Sequence, residues 1–215
     1  MKDDLPRNAR SVADVMVEVC HRLYDKGFVT ANDGNVSVRL KGGTFLASCT
    51  SMNKGSVAAE HIVEVDDEGN LLHGSRQPSS ELPMHMLIYK QRDDINAVVH
   101  AHATYATGFA TARTSIPKNL FPEVISKIGD VPLADYGTPA TAELANSLLP
   151  HIRKSDVVLL ANHGLVACGK DIWDAYYKLE KVEHAAHIAF VARMLGGEKP
   201  LTKKDLEKLM KNTKL

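Results

Sequence analysis

The chain has 215 residues, of which 44% are hydrophobic and 24% are charged, which is the composition of an ordinary globular protein. Its 26 basic and 26 acidic residues cancel, so the charge balance argues against binding to nucleic acid or to a membrane surface. No apolar run is as long as a membrane span, the N-terminus lacks a signal peptide, and the three cysteines form no Cys-x-x-Cys motif. We therefore expect a cytoplasmic protein that folds as one domain over residues 1–215.

The N-terminal part of the chain predicts one helix followed by antiparallel strands. Apolar residues recur at helical spacing from Ser11 to Gly27, and Gly27 is the expected C-cap. Turn residues and short alternating segments then predict strands within residues 31–39, 44–48, 62–65 and 71–72, with hairpin turns at 41–43 and 67–70.

The rest of the chain alternates helices with apolar strands. The predicted helices are 81–91, 141–149, 171–195 and 205–211, and the predicted strands are 95–103, 156–163 and 165–169. Prolines break residues 109–135 into loops with short helix or strand pieces. Together these elements predict an α+β fold, in which a mostly antiparallel sheet is flanked by helices.

Two histidines stand together in the apolar stretch Ala97–Ala103. The two-residue period of a strand places His100 and His102 on one face, where two imidazoles are a natural pair of metal ligands. Two ligands do not complete a zinc site, but His163 ends a second apolar strand and Glu81 stands at a predicted helix start. Three histidines and a carboxylate match the ligands of a catalytic zinc site, in which one position stays open to exchange.

Small polar residues gather in three loops and suggest an anion site. Ser79–Ser80 lies beside helix N-terminal amides, a setting that suits a phosphate, although taken alone it is better explained by a simple N-cap with an acidic first turn. Gly34–Asn35 and Thr50–Ser51 are ordinary turn chemistry when taken alone. Together the three loops are able to hold one phosphate. His184 and His187 are three residues apart on a predicted helix, and we assign them to packing because no partner ligand is evident.

Four motifs, in this order and at these separations, resemble the zinc-dependent class II aldolase and adducin family. They are Gly34-Asn35-Val36-Ser37-Val38-Arg39, Pro78-Ser79-Ser80-Glu81, Ala97-Val98-Val99-His100-Ala101-His102-Ala103 and Asn162-His163-Gly164-Leu165-Val166-Ala167-Cys168. The resemblance spans residues 11–197, nearly the whole chain. It implies a three-layer αβα fold and a fourfold-symmetric homotetramer with active sites at the subunit interfaces.

Carried over position by position, the resemblance also implies roles for ten residues. The implied zinc ligands are His100, His102 and His163, with Glu81 as the fourth ligand at rest and the catalytic base once substrate displaces it. The residues implied to hold the substrate phosphate are Gly34, Asn35, Thr50, Ser51, Ser79 and Ser80. Histidine-rich sites also accept manganese or cobalt, so the metal in the cell is left open.

These residues predict a zinc-dependent aldolase that reversibly cleaves a ketose 1-phosphate to dihydroxyacetone phosphate and an aldehyde. The substrate types we consider are L-fuculose 1-phosphate, 5-deoxyribulose 1-phosphate and 5-methylthioribulose 1-phosphate. Alternatives on the same scaffold are a ribulose-5-phosphate 4-epimerase, whose members usually carry Asp where this chain has Glu81, and a methylthioribulose-1-phosphate dehydratase. A non-catalytic adducin-like module is disfavoured, because such modules lose the metal ligands that this chain keeps.

Two positions depart from the aldolase pattern. Ser51 stands where the phosphate loop of the aldolases typically has glycine, so the loop backbone is expected to run differently. Counting from Ile116-Pro117, Phe121 stands where the fuculose aldolases carry a tyrosine that donates a proton to the leaving aldehyde. The pattern therefore fails at the leaving-group end, which leaves open an aldehyde other than lactaldehyde, and Phe121 and Met52 suit an apolar aldehyde tail.

Overall fold

A computed structural model describes residues 5–212 and contains one eight-stranded sheet with helices on both faces. The helices are α1 (Arg7–Asp25), α2 (Leu82–Gln91), α3 (Thr104–Thr111), α4 (Pro122–Lys127), α5 (Ala142–Ser147), α6 (Ile172–Met194) and α7 (Lys203–Asn212). The strands are β1 (Asn35–Arg39), β2 (Phe45–Ser48), β3 (Ile62–Val65), β4 (Leu71–His73), β5 (Ala97–Ala101), β6 (Leu133–Ala134), β7 (Val157–Leu160) and β8 (Gly164–Gly169). Among the described helices, none has the length and apolar character needed to cross a membrane.

The sheet has the strand order β4-β3-β2-β1-β5-β8-β7-β6. All neighbouring strands are antiparallel except β6 and β7, which are parallel, so the prediction of a mostly antiparallel α+β fold is confirmed. β5 lies between β1 and β8, and His100 is opposite Asn35 on one side and Val166 on the other. This register places His100 in the interior of the sheet.

Two hydrophobic cores lie on opposite faces of the sheet. Along β5, Ala97, Val99 and Ala101 pack into the core formed with α1, α3 and α6. Val98 packs into the other core, which includes residues of α2 and α5. Because strand side chains alternate between faces, His100 projects to the same side as Val98, toward α2. The expected three-layer arrangement is therefore present.

Several predicted helix ends are confirmed by their hydrogen bonds. At the end of α1, the amides of Gly27 and Phe28 donate to the carbonyls of Tyr24 and Leu23, at 2.9 Å each, which is the Schellman pattern. Thr141 caps α5 through the amide of Glu143. α1 begins at Arg7, earlier than the apolar spacing indicated, because its first turn needs no apolar residue.

The two histidine-bearing strands end earlier than the sequence predicted. β5 stops at Ala101, so His102 lies in the connection to α3, a helix that the sequence pattern did not predict. β7 stops at Leu160, and the chain turns through Asn162, which has a positive φ of 55°, before His163. Element boundaries are the part of a sequence prediction that apolar periodicity fixes least well.

The apolar side of α6 is buried along only part of its length. Tyr176, Leu179, Val182 and Ala186 belong to the core, as their spacing predicted. Toward the C-terminal end the same side leaves the core: Phe190 is 47% exposed, and Met194 is 73% exposed.

Candidate metal centre and active site

The structure brings the four side chains proposed as metal ligands together at one end of the central strands. His100 lies in β5, His102 follows that strand, and His163 lies in the turn between β7 and β8. Glu81 is the N-cap residue of α2, which lies over the same face of the sheet. Three separate segments therefore contribute to the centre: β5 and its extension provide two side chains, and the other two segments provide one each.

The distances between these side chains suit a small cation. His100 Nε2 lies 3.1 Å from His102 Nε2 and 3.3 Å from Glu81 Oε2, and His163 Nε2 lies 3.0 Å from Glu81 Oε1. A tetrahedral zinc ion with ligands at about 2.0–2.1 Å separates its ligand atoms by roughly 3.3 Å. The three imidazoles and the carboxylate thus fit a tetrahedral metal ion.

The outer nitrogens of two of these imidazoles are already partnered. His100 Nδ1 lies 2.9 Å from the carbonyl oxygen of Leu165, and His102 Nδ1 lies 3.3 Å from Asp33 Oδ2. Both partners are acceptors, so each Nδ1 carries the proton and each Nε2 presents its lone pair to the centre. His163 Nδ1 is buried and makes no hydrogen bond within the described residues.

The electrostatics of the centre also favour a cation. Burial lowers the pKa of His100 to about 3 and lowers the pKa of His102, so both rings are neutral at pH 7. Burial alone would raise the pKa of Glu81, but the hydrogen bond with His163 and the proximity of His100 outweigh it and hold the pKa well below its ordinary value. Neutral imidazoles with one carboxylate are the protonation states in which these groups bind metal.

Gly34 and Asn35 lie directly beside the metal centre. Gly34 has a positive φ of 72°, and a Cβ there would lie 2.5 Å from Val29 Cγ1 and 2.9 Å from the carbonyl oxygen of His100. Only glycine fits this position. Asn35 Nδ2 donates to Glu81 Oε2 at 2.8 Å, whereas its buried Oδ1 has no partner within the described residues.

The two hydroxyl-bearing loops are joined through their backbones. The amide of Thr50 donates to the carbonyl of Gln77 at 3.0 Å, and the amide of Ser79 donates to the carbonyl of Ser48 at 3.1 Å. Thr50–Ser51 and Ser79–Ser80 are therefore neighbours next to Glu81. Ser51 has a positive φ of 56°, a backbone conformation that glycine adopts more readily than serine.

Two acidic residues near the centre were missed by sequence reasoning. Asp33 precedes Gly34 and looked like part of a turn, yet it faces His102. Glu183 of α6 accepts hydrogen bonds from the amides of Tyr105 and Ala106, at the start of the helix that follows His102. The available signal for Glu183 was an acidic residue adjoining Val182 within the apolar side of a helix.

Comparison with known proteins agrees with this geometry. Residues 14–190 match the family model described as "Class II Aldolase and Adducin N-terminal domain". The chain belongs to the class II aldolase and adducin family. It is 36% identical over 180 residues to an L-fuculose phosphate aldolase of Methanococcus maripaludis, a match that covers 84% of this chain and 96% of that protein.

Two further relatives show which reactions similar proteins are named for. A 3-oxo-tetronate 4-phosphate decarboxylase of Haemophilus influenzae is 32% identical over 190 residues, covering 86% of this chain and 89% of that protein. A solved structure of an L-fuculose 1-phosphate aldolase superposes with a TM-score of 0.87 at 30% identity, covering 95% of this chain and 97% of the other. The chain is thus an aldolase-type lyase of a metal-dependent family, and its relatives act on sugar phosphates.

Proposed function

We propose that the protein is a zinc-dependent aldolase that reversibly cleaves a ketose 1-phosphate to dihydroxyacetone phosphate and an aldehyde. The convergence of three imidazole nitrogens, two of which contact the Glu81 carboxylate, carries this proposal, because it joins a metal-ligand set to a carboxylate that substrate is able to displace. The substrate is of the L-fuculose 1-phosphate, 5-deoxyribulose 1-phosphate or 5-methylthioribulose 1-phosphate type.

In this proposal His100, His102 and His163 hold the metal ion, and Glu81 occupies the fourth position at rest. When bound, zinc supplies Lewis-acid stabilisation for the negative charge that develops on the substrate oxygens. Imidazole ligands also suit manganese or cobalt, so each metal is to be tested for loading.

Glu81 acts as the general base when substrate takes the fourth position. In the condensation direction it removes a proton from the hydroxymethyl carbon of dihydroxyacetone phosphate, a role commonly worth about 10² to 10⁴ in rate. The carboxylate is ionised at neutral pH, which is the form that accepts a proton. The hydrogen bond from Asn35 holds one carboxylate oxygen in place.

The substrate phosphate is held by the neutral groups next to Glu81. Gly34 allows close backbone approach, and the remaining contacts come from the side chains and amides of Asn35, Thr50, Ser51, Ser79 and Ser80. The backbone pairing of the two loops supports the assignment, because it fixes one loop relative to the other before substrate arrives. The orphaned Oδ1 of Asn35 also needs a donor, which a substrate hydroxyl provides.

A decarboxylase is the second candidate, supported by the relative from Haemophilus influenzae and by Phe121. Loss of carbon dioxide from a 3-oxo-tetronate 4-phosphate leaves the same enediolate of dihydroxyacetone phosphate as retro-aldol cleavage. Carbon dioxide departs without needing a proton, whereas an aldehyde and its alkoxide exchange one. A phenylalanine at the position where the fuculose aldolases carry a proton-donating tyrosine is therefore tolerated by decarboxylation.

We also propose a homotetramer with active sites at the subunit interfaces, as the family resemblance implies. Exposed apolar side chains near the end of α6 support an interface there, since Met194 is 73% and Leu195 82% exposed in the single chain. Sedimentation velocity should give the mass of four chains, and a monomeric mass would contradict the proposal.

The deciding experiment uses zinc-loaded protein with dihydroxyacetone phosphate alone in deuterated water. Proton NMR should show exchange of a hydroxymethyl hydrogen by the wild type. Glu81→Gln should still bind zinc, but more weakly, and at saturating zinc it should lose most of the exchange. Glu18→Gln, on the outer face of α1, is the matched control and should exchange normally. Absence of exchange with zinc bound would refute the proposal.

The same protein then separates the two candidates. An aldolase should consume dihydroxyacetone phosphate when an aldehyde such as lactaldehyde or acetaldehyde is added, and it should leave 3-oxo-tetronate 4-phosphate intact. A decarboxylase should release carbon dioxide from that acid and condense neither aldehyde.

A further inference from the structure

We propose that polar side chains between β1 and α2 form a ladder that positions Glu81, and that Ser37, His85 and Tyr89 are positioning residues for it. The β1–α2 ladder consists of Asn35, Ser37 and Arg39 on the strand and Glu81, His85 and Tyr89 on the helix. The inference rests on the proposed role of Glu81 as metal ligand and base.

The first two rungs connect the metal centre to the interior. Asn35 Nδ2 donates to Glu81 Oε2 at 2.8 Å. Ser37 Oγ then hydrogen-bonds with both His85 Nδ1, at 2.7 Å, and the Tyr89 hydroxyl, at 2.8 Å. One serine hydroxyl thus binds two consecutive turns of α2 to the strand that carries Asn35.

The third rung fastens the far end of the helix. Arg39 Nη2 donates to the carbonyl oxygen of Tyr89 at 2.6 Å, and the guanidinium carbon lies 5.0 Å from the centre of the Tyr89 ring. Further contacts at 3.4 Å reach the carbonyls of Arg92 and Asp93. A cation at the C-terminus of α2 is favourably placed against the helix dipole, so this rung holds the helix along its axis.

The rise per residue explains why the strand residues and the helix residues of the ladder remain opposite one another. Two residues along a strand advance about 6.6 to 6.8 Å, and four residues along a helix advance about 6.0 Å. Residues 35, 37 and 39 therefore keep pace with residues 81, 85 and 89. A rotation of α2 by one residue would turn its polar side chains about 100° away and break the side-chain rungs together.

Burial makes the two side-chain rungs specific. Ser37 is fully buried, and His85 and Tyr89 are 1% and 2% exposed, among the apolar residues of the α2 core. Apolar side chains would fill this space without fixing the height of the helix, whereas buried polar groups are satisfied in one arrangement only. The arrangement selected here is the one that brings Glu81 against His100 and His163.

The test is a double-mutant cycle read out as zinc affinity, measured by competition with a chromophoric chelator. Ser37→Ala should weaken zinc binding by about tenfold, the scale found for groups that orient metal ligands. In the Glu81→Gln background the same substitution should change zinc affinity less than twofold, because the ladder acts through Glu81. Tyr89→Phe, which removes a single hydroxyl, should show the same coupling with a smaller loss.

Matched controls remove one hydroxyl elsewhere. Ser155→Ala and Tyr176→Phe alter a buried serine and a buried tyrosine outside the ladder, and both should bind zinc like the wild type. Equal effects of Ser37→Ala with and without Glu81, or no effect in either background, would overturn the ladder while leaving zinc binding intact. A wild type that binds no zinc, or Glu81→Gln that binds it unchanged, would instead overturn the proposed role of Glu81 and the ladder with it.

Discussion

Glu183 caps the helix that follows His102, and its substitution measures how far the metal centre depends on that cap. Glu183 Oε1 accepts from the amide of Tyr105 at 2.9 Å, and Oε2 accepts from the amide of Ala106 at 2.8 Å. The N-cap residue of α3, Ala103, has no side chain to do this. A carboxylate from a distant helix therefore provides the cap and also complements the positive end of the α3 dipole.

The expected loss in the free energy of unfolding follows from the two amides that Glu183 caps. Glu183→Ala leaves both without a partner, and a buried unsatisfied donor costs about 1–3 kcal/mol, while loss of a helix cap costs about 0.5–2 kcal/mol. We expect Glu183→Ala to lower the free energy of unfolding by about 2–4 kcal/mol. Glu183→Gln keeps one acceptor oxygen, so about 1–2 kcal/mol is expected for it.

Urea unfolding of the metal-free protein, followed by far-UV circular dichroism, measures this loss without the contribution of bound metal. Because His102 lies just before α3, Glu183→Gln should also weaken zinc binding, by about tenfold. Glu180→Gln is the control: Glu180 lies one turn earlier and pairs with Lys26 at 2.8 Å near the surface, so less than about 1 kcal/mol and unchanged zinc affinity are expected. Equal losses in the Glu183 and Glu180 variants would refute the reasoning.

Three further outcomes follow from the site. Burial lowers the pKa of His85 from 6.5 to about 4, so below pH 6.5 the unfolded chain binds a proton that the folded chain does not. The free energy of unfolding of the metal-free protein should then fall toward pH 4, by up to about 1.4 kcal/mol per pH unit from this group, and His85→Gln should show a shallower slope in urea titrations. A Cβ on Gly164 would lie 2.5 Å from the Ala101 carbonyl, so Gly164→Ala should lower the thermal midpoint, whereas Gly42→Ala, which meets no atom within 4 Å, should not. Zinc should raise the thermal midpoint of the wild type but not of His163→Ala, and an equal rise in both would remove His163 from the ligand set.

Local patterns were sufficient for the parts of the site that depend on one element. The apolar run around His100 predicted a buried strand, and the polar residues before α2 predicted the helix start at Glu81. Caps such as Thr141 were equally legible, because an N-cap bonds to amides two or three residues away. In each case the stabilising contact lies within a few residues of the pattern that predicts it.

Contacts between distant segments could not be predicted in the same way. The sequence near His102 does not predict α3, since the carboxylate that caps this helix comes from Glu183, far along the chain. The pairing of Asn35 with His100 depends on the register of β1 against β5, and one residue of slippage would reverse the faces of both strands. Many registers satisfy the apolar pattern, and the folded core selects one of them.

The residues that the sequence predicted well and those that it predicted poorly belong to different parts of the proposed reaction. His100 and Glu81 lie on or at the ends of regular elements, and in the proposed function they act on the enediolate that aldol cleavage and decarboxylation share. Phe121 lies between Pro117 and Pro122, at the start of α4, in the region that the sequence predicted as loops. In the proposed function, a change at such a position alters the leaving group without disturbing the metal centre, which is consistent with relatives at 36% and 32% identity that carry the names of an aldolase and a decarboxylase.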